Sequence, residues 1–202
     1  MRSIILASAS PRRKKLFELM NIPVTIQPSS VKESVPNGMK PGETVKLLAE
    51  QKGADVASSF SDAIIISADT IVVLEHIILG KPANRQEAAS ILKKLSGREH
   101  SVYSGVCIID KKEIAETNGN ISFFERTKVT FSSLDELEIE QYINTGSPMD
   151  KAGAYGIQDD IGSLFVKKIE GDYYNVVGFP VNAFYQTLKR DHHKLFRQIF
   201  SL

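Results

Sequence analysis

The chain has 202 residues, of which 42% are hydrophobic and 24% are charged. Its 25 Lys and Arg nearly balance 24 Asp and Glu, so the net charge of +1 argues against a general affinity for nucleic acid or anionic membranes. No run reaches the ~18 apolar residues of a membrane span, and the apolar stretch at residues 4–7 is too short for a signal peptide.

Hydrophobic periodicity and turn residues divide the chain into alternating strands and helices. Ser10 and Asn84 are predicted N-caps, and the Ser133–Glu136 spacing predicts a capping box. In chain order we predict a strand over residues 3–7, a helix over 11–20, a strand over 24–26, a loop over 28–42, a helix over 43–60, a strand over 63–67, a hairpin of 71–74 with 77–79, a helix over 84–96, strands over 102–109 and 121–131, a helix over 133–146, an irregular segment over 146–162, a strand over 164–166 and a helix over 182–190.

This order predicts an α/β fold with a mixed central sheet flanked by helices, arranged as two lobes with a cleft. No linker-like composition divides the chain, so residues 1–202 are expected to form a single domain, with 191–202 as a C-terminal extension. The lone Cys107 stands in an apolar run and is expected to be a small buried residue, which suits a reducing cytoplasm.

Four consecutive cations, at residues 12–15, stand where a helix begins, although a helix N-terminus favours negative charge. The exposed N–H groups of a first helical turn bind anions, and arginines add bidentate donors for phosphate. The alternative is a solvated basic turn. We favour phosphate contact for Arg12 and Arg13, and the solvated turn for Lys14 and Lys15.

Lys52 falls on the apolar face of its predicted helix. It either extends to the edge of the core or reaches a buried anion. The apolar positions that share this face are Val45, Leu48, Ala49 and Val56.

Asp69 follows the apolar strand at residues 63–67, and ligands of α/β proteins gather at the carboxyl ends of strands. A carboxylate there can bind a divalent cation or accept a proton from water, unless it is only a turn residue. Lys81, in a turn, and Glu33, in the first long loop, carry little weight alone.

The segment at residues 149–158 places polar side chains among small residues, and its glycines allow a ligand to approach the backbone. Tyr155 could stack on a base and Gln158 could hydrogen-bond its edge; a packed surface loop is the alternative. Together these patterns predict a polyphosphate site with carboxylates able to hold a metal, which indicates a nucleotide hydrolase.

The motifs also occur in a recognisable order. They are Ser8-Ala9-Ser10-Pro11-Arg12-Arg13, Ala68-Asp69-Thr70, Gly80-Lys81-Pro82, Leu95-Ser96-Gly97-Arg98 and Met149-Asp150-Lys151-Ala152-Gly153-Ala154-Tyr155-Gly156-Ile157-Gln158. In this order the chain resembles, over residues 3–190, the Maf proteins, which are nucleotide pyrophosphatases once called septum formation inhibitors.

The resemblance implies a fold like that of the inosine triphosphate pyrophosphatases and cleavage of nucleoside triphosphates between the α and β phosphates, with Mg²⁺ or Mn²⁺. It implies Asp69 as proton acceptor and Glu33 as second acidic residue, both near the metal. The phosphate-contacting set that it implies is Ser8, Arg12, Arg13, Lys52 and Lys81.

Three positions, Arg12, Thr70 and Gln158, look like those of the branch that acts on dTTP and UTP, and modified uridine triphosphates are further candidates. Asp150, Lys151 and Tyr155 complete the expected substrate-binding set. The alternative is a non-catalytic nucleotide-binding regulator of cell division. The expected partner is a nucleoside triphosphate, without nucleic acid or membrane; a homodimer is compatible with the sequence, and the expected location is the cytoplasm.

Overall fold

A computed structural model describes residues 2–112, 120–159 and 161–201. Within these ranges, the strands are Ser3–Leu6 (β1), Thr25–Ile26 (β2), Ala63–Leu74 (β3), Ile77–Leu79 (β4), Glu99–Asp110 (β5), Ile121–Phe131 (β6) and Val166–Glu170 (β7). The α-helices are Pro11–Leu19 (α1), Pro41–Ala57 (α2), Arg85–Leu95 (α3), Glu136–Asn144 (α4), Tyr173–Val177 (α5), Val181–Asp191 (α6) and His193–Phe200 (α7). Short 3₁₀ helices cover Ser147–Asp150, Ala152–Ala154 and Gly162–Phe165.

The strands form a mixed sheet in the order β2-β1-β3-β5-β6-β7, with β4 also paired to β3. β1 is parallel to β2 and β3, and its Ile5 lies beside Thr25 on one side and Ile65 on the other. β4 and β7 run antiparallel to β3 and β6. The α/β class with a mixed sheet and helices, predicted from the alternation of elements, is therefore confirmed.

The chain folds as two compact units. The first comprises Met1–Asp69, Ser104–Glu125 and Gly178–Leu202, and the second comprises Thr70–Tyr103 and Arg126–Val177. Strands β3, β5 and β6 contribute residues to both. In β3, the division falls between two residues that the sequence nominates for the site, Asp69 and Thr70.

Each unit has its own apolar core. In the first, Ile5 and Ile65 of the sheet pack with Ala49 and Val56 of α2 and with Cys107. Cys107 is fully buried, as predicted, and burial raises the pKa of its thiol to about 12. The core of the second unit gathers side chains from α3, α4, the sheet and the loop after α4; among its members are Leu92, Phe131, Tyr142, Tyr155 and Phe165.

Local capping follows the sequence in two helices and departs from it in a third. The side chains of Ser10 and Asn84 accept hydrogen bonds from N–H groups three residues later, as predicted. The predicted box of Ser133 and Glu136 is wrong: Asp135 caps α4, and Glu138 completes the box. Asp135 is the N-cap rather than Ser133, because its carboxylate accepts a hydrogen bond from the Glu138 N–H while the Glu138 carboxylate accepts one from the Asp135 N–H.

Other departures concern where elements begin and end. β3 does not stop before Asp69 but continues to Leu74, because its second half pairs with β4. The predicted strand at 164–166 begins only at Val166, and the short helix α5 was missed. None of the helices in the described ranges is both long and apolar enough to cross a bilayer.

Candidate active site

A charged cluster in the first unit is centred on the ammonium group of Lys52. Its Nζ donates a hydrogen bond to Asp69 Oδ1 and lies 2.9 Å from Glu33 Oε1. The Lys52 side chain is only 18% exposed, and the apolar residues of the same face of α2 are buried, as predicted. Of the two alternatives for Lys52, the structure therefore supports the lysine that reaches an anion.

Close packing of α2 against β3 brings Lys52 and Asp69 together. The hydroxyl of Ser67, two residues before Asp69, donates to the Ala49 carbonyl at 2.6 Å. A Cβ atom added to Gly53 would lie 2.7 Å from the same Ser67 oxygen, so a larger residue would push the helix away. Gly53 thus permits the approach that places the neighbouring lysine on the strand carboxylate.

The start of α1 contributes Arg13 and Ser8 to the first unit. Arg13 Nη1 donates to Ser8 Oγ at 3.2 Å, and Arg13 Nε donates to the Gly178 carbonyl at 2.8 Å. Burial lowers the pKa of the Arg13 guanidinium, and the negative charges of Asp69 and Glu33 oppose that shift. Arg13 is therefore held in a fixed orientation, close enough to both carboxylates to feel their charge.

The remaining cations of this turn differ in exposure. Lys14 and Lys15 are exposed, and Lys14 lies 3.6 Å from Glu18 one turn further along α1. Arg12 is half-buried, and the first turn of α1 contains no acidic residue. The structure thus brings Ser8, Arg13, Glu33, Lys52 and Asp69 together within the first unit.

The other predicted site residues belong to the second unit. Thr70 is half-buried in β3, whereas Lys81 and Gln158 are exposed. The segment that carries Lys81 is tied to the loop after α4, because the Gly153 N–H donates to the Gly80 carbonyl at 3.1 Å.

Lys151 has internal partners. Its Nζ donates to the Ser147 carbonyl at 2.6 Å and to Asp150 Oδ1 at 2.7 Å, and lies 3.1 Å from Asp159 Oδ2. With 7% of its surface exposed, Lys151 holds the loop together. Its expected contact with a substrate stays a prediction, which would require it to exchange one of these partners.

Tyr155 also has its partners inside the second unit. It is 6% exposed, and its ring packs edge-on against Phe131 with centroids 4.7 Å apart. Its hydroxyl lies 2.8 Å from His100 Nε2, and burial raises the pKa of the phenol. The ring belongs to the core of the second unit, and its expected contact with a base stays a prediction.

Tyr142 and Asp159 were missed by the sequence analysis although both shape this loop. The Tyr142 hydroxyl donates to Asp159 Oδ2 at 2.8 Å, and Ser147 Oγ donates to the same oxygen at 2.6 Å. Tyr142 lies on the apolar face of α4 and has the pattern of an ordinary core residue. No local sequence signal therefore identifies its contact with Asp159.

Asp69 and Glu33 suit a divalent cation that is completed by substrate oxygens. No group of three or more His, Cys, Asp or Glu side chains converges within the described part of the chain. Mg²⁺ is commonly held by one or two carboxylates together with substrate phosphates and water. Two carboxylates that converge on one ammonium group supply such a partial set.

Comparisons with known proteins give a consistent result. The family model described as Maf-like protein matches residues 3–191. Two proteins named dTTP/UTP pyrophosphatase, from Bacillus cereus (strain G9842) and Bacillus anthracis (strain CDC 684 / NRRL 3495), are each 49% identical over 190 residues, which is 94% of this chain and 96% of theirs. The solved Staphylococcus aureus Ham1 protein aligns with 65% of this chain and 72% of its own at 13% identity, with a TM-score of 0.44, a likeness too distant to carry an argument.

Proposed function

The chain belongs to the Maf family, and we propose that it is a pyrophosphatase that hydrolyses dTTP and UTP between the α and β phosphates. Relatives at 49% identity over 94% of the chain are named for these two nucleotides. The observation that carries the proposal is the Lys52 ammonium between the carboxylates of Asp69 and Glu33, with Arg13 close by. Such a cluster combines proton acceptors with cations that bind phosphate.

In the proposed reaction, Asp69 accepts a proton from a water molecule whose oxygen attacks the α phosphorus. The bond between that phosphorus and the bridging oxygen breaks, and pyrophosphate leaves with the electron pair. Arg13, Lys52 and Lys81 neutralise the charge that collects on the departing group. Ser8 supports this arrangement, because its hydroxyl accepts a hydrogen bond from Arg13 and holds the guanidinium in place.

A divalent cation, Mg²⁺ or Mn²⁺, is part of the proposal. Asp69 and Glu33 would hold it, and when bound it would gather the phosphate charge and favour ionisation of water. Lys52 now occupies the position between these carboxylates. Its flexible side chain can transfer to a phosphate oxygen, and Asp69 and Glu33 would then be available to hold the cation.

We assign base selection to Arg12, Thr70 and Gln158. An exposed glutamine amide carries one acceptor and two donors, which match the N3–H donor and the O4 acceptor of uracil and thymine. Both bases present this same pair, so the assignment accounts for a shared preference. Modified uridine triphosphates that retain the pair are further candidate substrates.

The proposed setting is the cytoplasm, where a single buried cysteine needs no disulfide partner. The proposed partner is the nucleotide alone. A net charge of +1 supports the absence of nucleic acid from this proposal.

The test is a screen of UTP, dTTP, CTP and GTP with Mg²⁺ or Mn²⁺, with the products identified by phosphorus NMR. We expect monophosphate and pyrophosphate from UTP and dTTP. In water enriched in ¹⁸O, the label should enter the monophosphate, because attack is at the α phosphorus. Release of orthophosphate, or label in the pyrophosphate, contradicts the proposed bond.

The same screen separates the enzyme from a non-catalytic regulator of cell division. A regulator would bind UTP without forming product under either metal. Nucleotide binding measured by calorimetry alongside turnover decides between them.

A further inference from the structure

A four-residue turn, residues 156–159, carries Gln158 near its tip. The Asp159 N–H donates to the Gly156 carbonyl at 3.1 Å and closes the turn. Gly156 and Ile157 are buried, whereas Gln158 is exposed. The turn is therefore fixed at its base and presents one amide side chain to solvent.

One hydroxyl group holds both ends of this turn. The Gly156 N–H donates to the Tyr142 hydroxyl at 3.0 Å, and that hydroxyl donates to Asp159 Oδ2 at 2.8 Å. Tyr142 is 1% exposed in α4, so its position is set by the core of the second unit. A Cβ atom at position 156 would lie 2.6 Å from Asp159 Oδ2, so only glycine lets the carboxylate close over the turn.

The charge of Asp159 is compensated inside the protein. Ser147 Oγ donates to Asp159 Oδ2 at 2.6 Å, and Lys151 Nζ lies 3.1 Å from the same oxygen. Burial, reinforced by the bond to Asp159, raises the pKa of Tyr142, so the phenol keeps the proton that it donates. In a poorly solvated network each such bond strengthens its neighbours, and loss of one loosens the rest.

We propose that Tyr142 and Asp159 are positioning residues that fix the Gln158 turn and thereby set the preference for uracil-type over cytosine-type bases; this rests on the proposed function. Neither side chain needs to touch the nucleotide. Their effect passes through the backbone of residues 156–159, which determines where the Gln158 amide stands.

Base chemistry explains why position matters. Uracil presents an N3–H donor and an O4 acceptor, whereas cytosine presents an N3 acceptor and an N4 donor. A glutamine amide can pair with either edge if it is free to move and flip. A turn that the Tyr142–Asp159 contact holds in place limits the positions that the Gln158 amide can reach, and so favours one of the two edges.

The test compares Tyr142→Phe and Asp159→Asn with two controls of the same kind in the same unit, Tyr173→Phe and Glu170→Gln. Tyr173 and Glu170 are exposed and outside the loop. We expect the ratio of kcat/KM for UTP to that for CTP to fall about tenfold in the first pair, the worth of one hydrogen bond. The change should lie in KM, with kcat for UTP nearly constant, and the controls should keep the wild-type ratio.

A double-mutant cycle with Gln158→Ala distinguishes positioning from general loosening. If the network acts through Gln158, Tyr142→Phe and Asp159→Asn change the UTP to CTP ratio no further once Gln158 is gone. An additive change, or an unchanged ratio in the single variants, overturns the inference. Thermal unfolding checks each variant, and if one does not fold the other decides.

The wild-type protein separates the proposed hydrolysis from the positioning role of Tyr142 and Asp159. Failure to hydrolyse UTP and dTTP refutes the proposed function itself. A wild type that prefers UTP, together with Tyr142→Phe and Asp159→Asn variants that retain that preference, refutes only the positioning role.

Discussion

Two lysines of this chain each bridge a pair of carboxylates, one in each compact unit, and they differ in their remaining partners. Lys52 contacts Asp69 and Glu33, and the Glu33 side chain is 47% exposed. Lys151 contacts Asp159 and Asp150, is 8% exposed at its side chain, and also donates to the carbonyl and hydroxyl of Ser147. We call the Lys52 cluster open and the Lys151 cluster closed, because the Lys151 ammonium has four acceptors within residues 147–159, although the Asp150 side chain is 59% exposed.

The partners of each ammonium group determine whether that lysine can bind a substrate. Each lysine has one half-solvated carboxylate partner that it can give up at small cost, because exposed ion pairs contribute little. Lys151 would in addition leave two Ser147 acceptors and Asp159 without their donor, which makes its departure costly. The same residue type in the same kind of pair is therefore assigned to the proposed reaction in one unit and to loop structure in the other.

The largest expected effect comes from Asp69, where the open cluster is assigned the proton transfer. Asp69→Asn should lower kcat for UTP by about 10³-fold, because the amide neither accepts the proton nor holds a cation. Unfolding temperature should stay close to wild type, since the amide oxygen still accepts from Lys52. Asp191→Asn is the matched control, because Asp191 pairs with its neighbour Arg190 at the surface. An Asp69→Asn enzyme with more than a tenth of the wild-type kcat removes Asp69 from the role of base.

Exchanging each lysine for methionine tests the comparison directly. Lys151→Met should reduce the free energy of unfolding by about 3 kcal/mol, because it removes the cation beside the half-buried Asp159 and the donor of the Ser147 carbonyl and hydroxyl. Lys52→Met should cost less, about 1 to 2 kcal/mol, because Glu33 is half-solvated and the charge of Arg13 remains close to Asp69, whose side chain is 13% exposed. Urea unfolding at pH 7.5 measures both values.

Activity should respond in the reverse order. Lys52→Met should lower kcat/KM for UTP by about 10²-fold, the loss typical of one group that stabilises developing charge. Lys151→Met should lower it far less when assayed well below its unfolding temperature. Equal stability losses, or a larger activity loss for Lys151→Met, would erase the distinction between the open and the closed cluster.

The sequence predicted the open cluster better than the closed one, and the reason is physical. Lys52 stands out because a lysine on an apolar helix face breaks the local pattern, and Asp69 because it follows an apolar run. The strand end predicted before Asp69 was wrong, since pairing with β4 lies outside any local window. Tyr142 and Asp159 obey every local rule, and their 17-residue separation hides the contact until the loop is folded.

The helix caps also divide into those that the sequence predicted and one that it did not. Ser10 and Asn84 were predicted because each cap bonds within three residues. Ser133 was favoured over Asp135 because two capping boxes overlap by two residues, and sequence spacing alone does not rank them.

A last prediction concerns how completely the core of the second unit excludes water around His100. His100 is 2% exposed, bonds the Tyr155 hydroxyl through Nε2, and its Nδ1 has no hydrogen-bond partner among the described residues. Burial lowers the pKa of His100 to about 4, against about 6.5 in the unfolded chain. Between these values the unfolded state binds the extra proton, so stability is full above pH 6.5 and falls as the pH drops toward 4.

Between pH 7.5 and pH 5 this single histidine should remove about 2 kcal/mol from the free energy of unfolding. His100→Leu abolishes the titration, so the difference between wild type and variant should shrink by that amount over the same interval. The carboxylates contribute the same pH dependence of stability to both proteins, so their contribution cancels in the difference. Parallel stability curves for the two proteins would mean that His100 has the same pKa in the folded and the unfolded state. The core of the second unit would then admit water to His100.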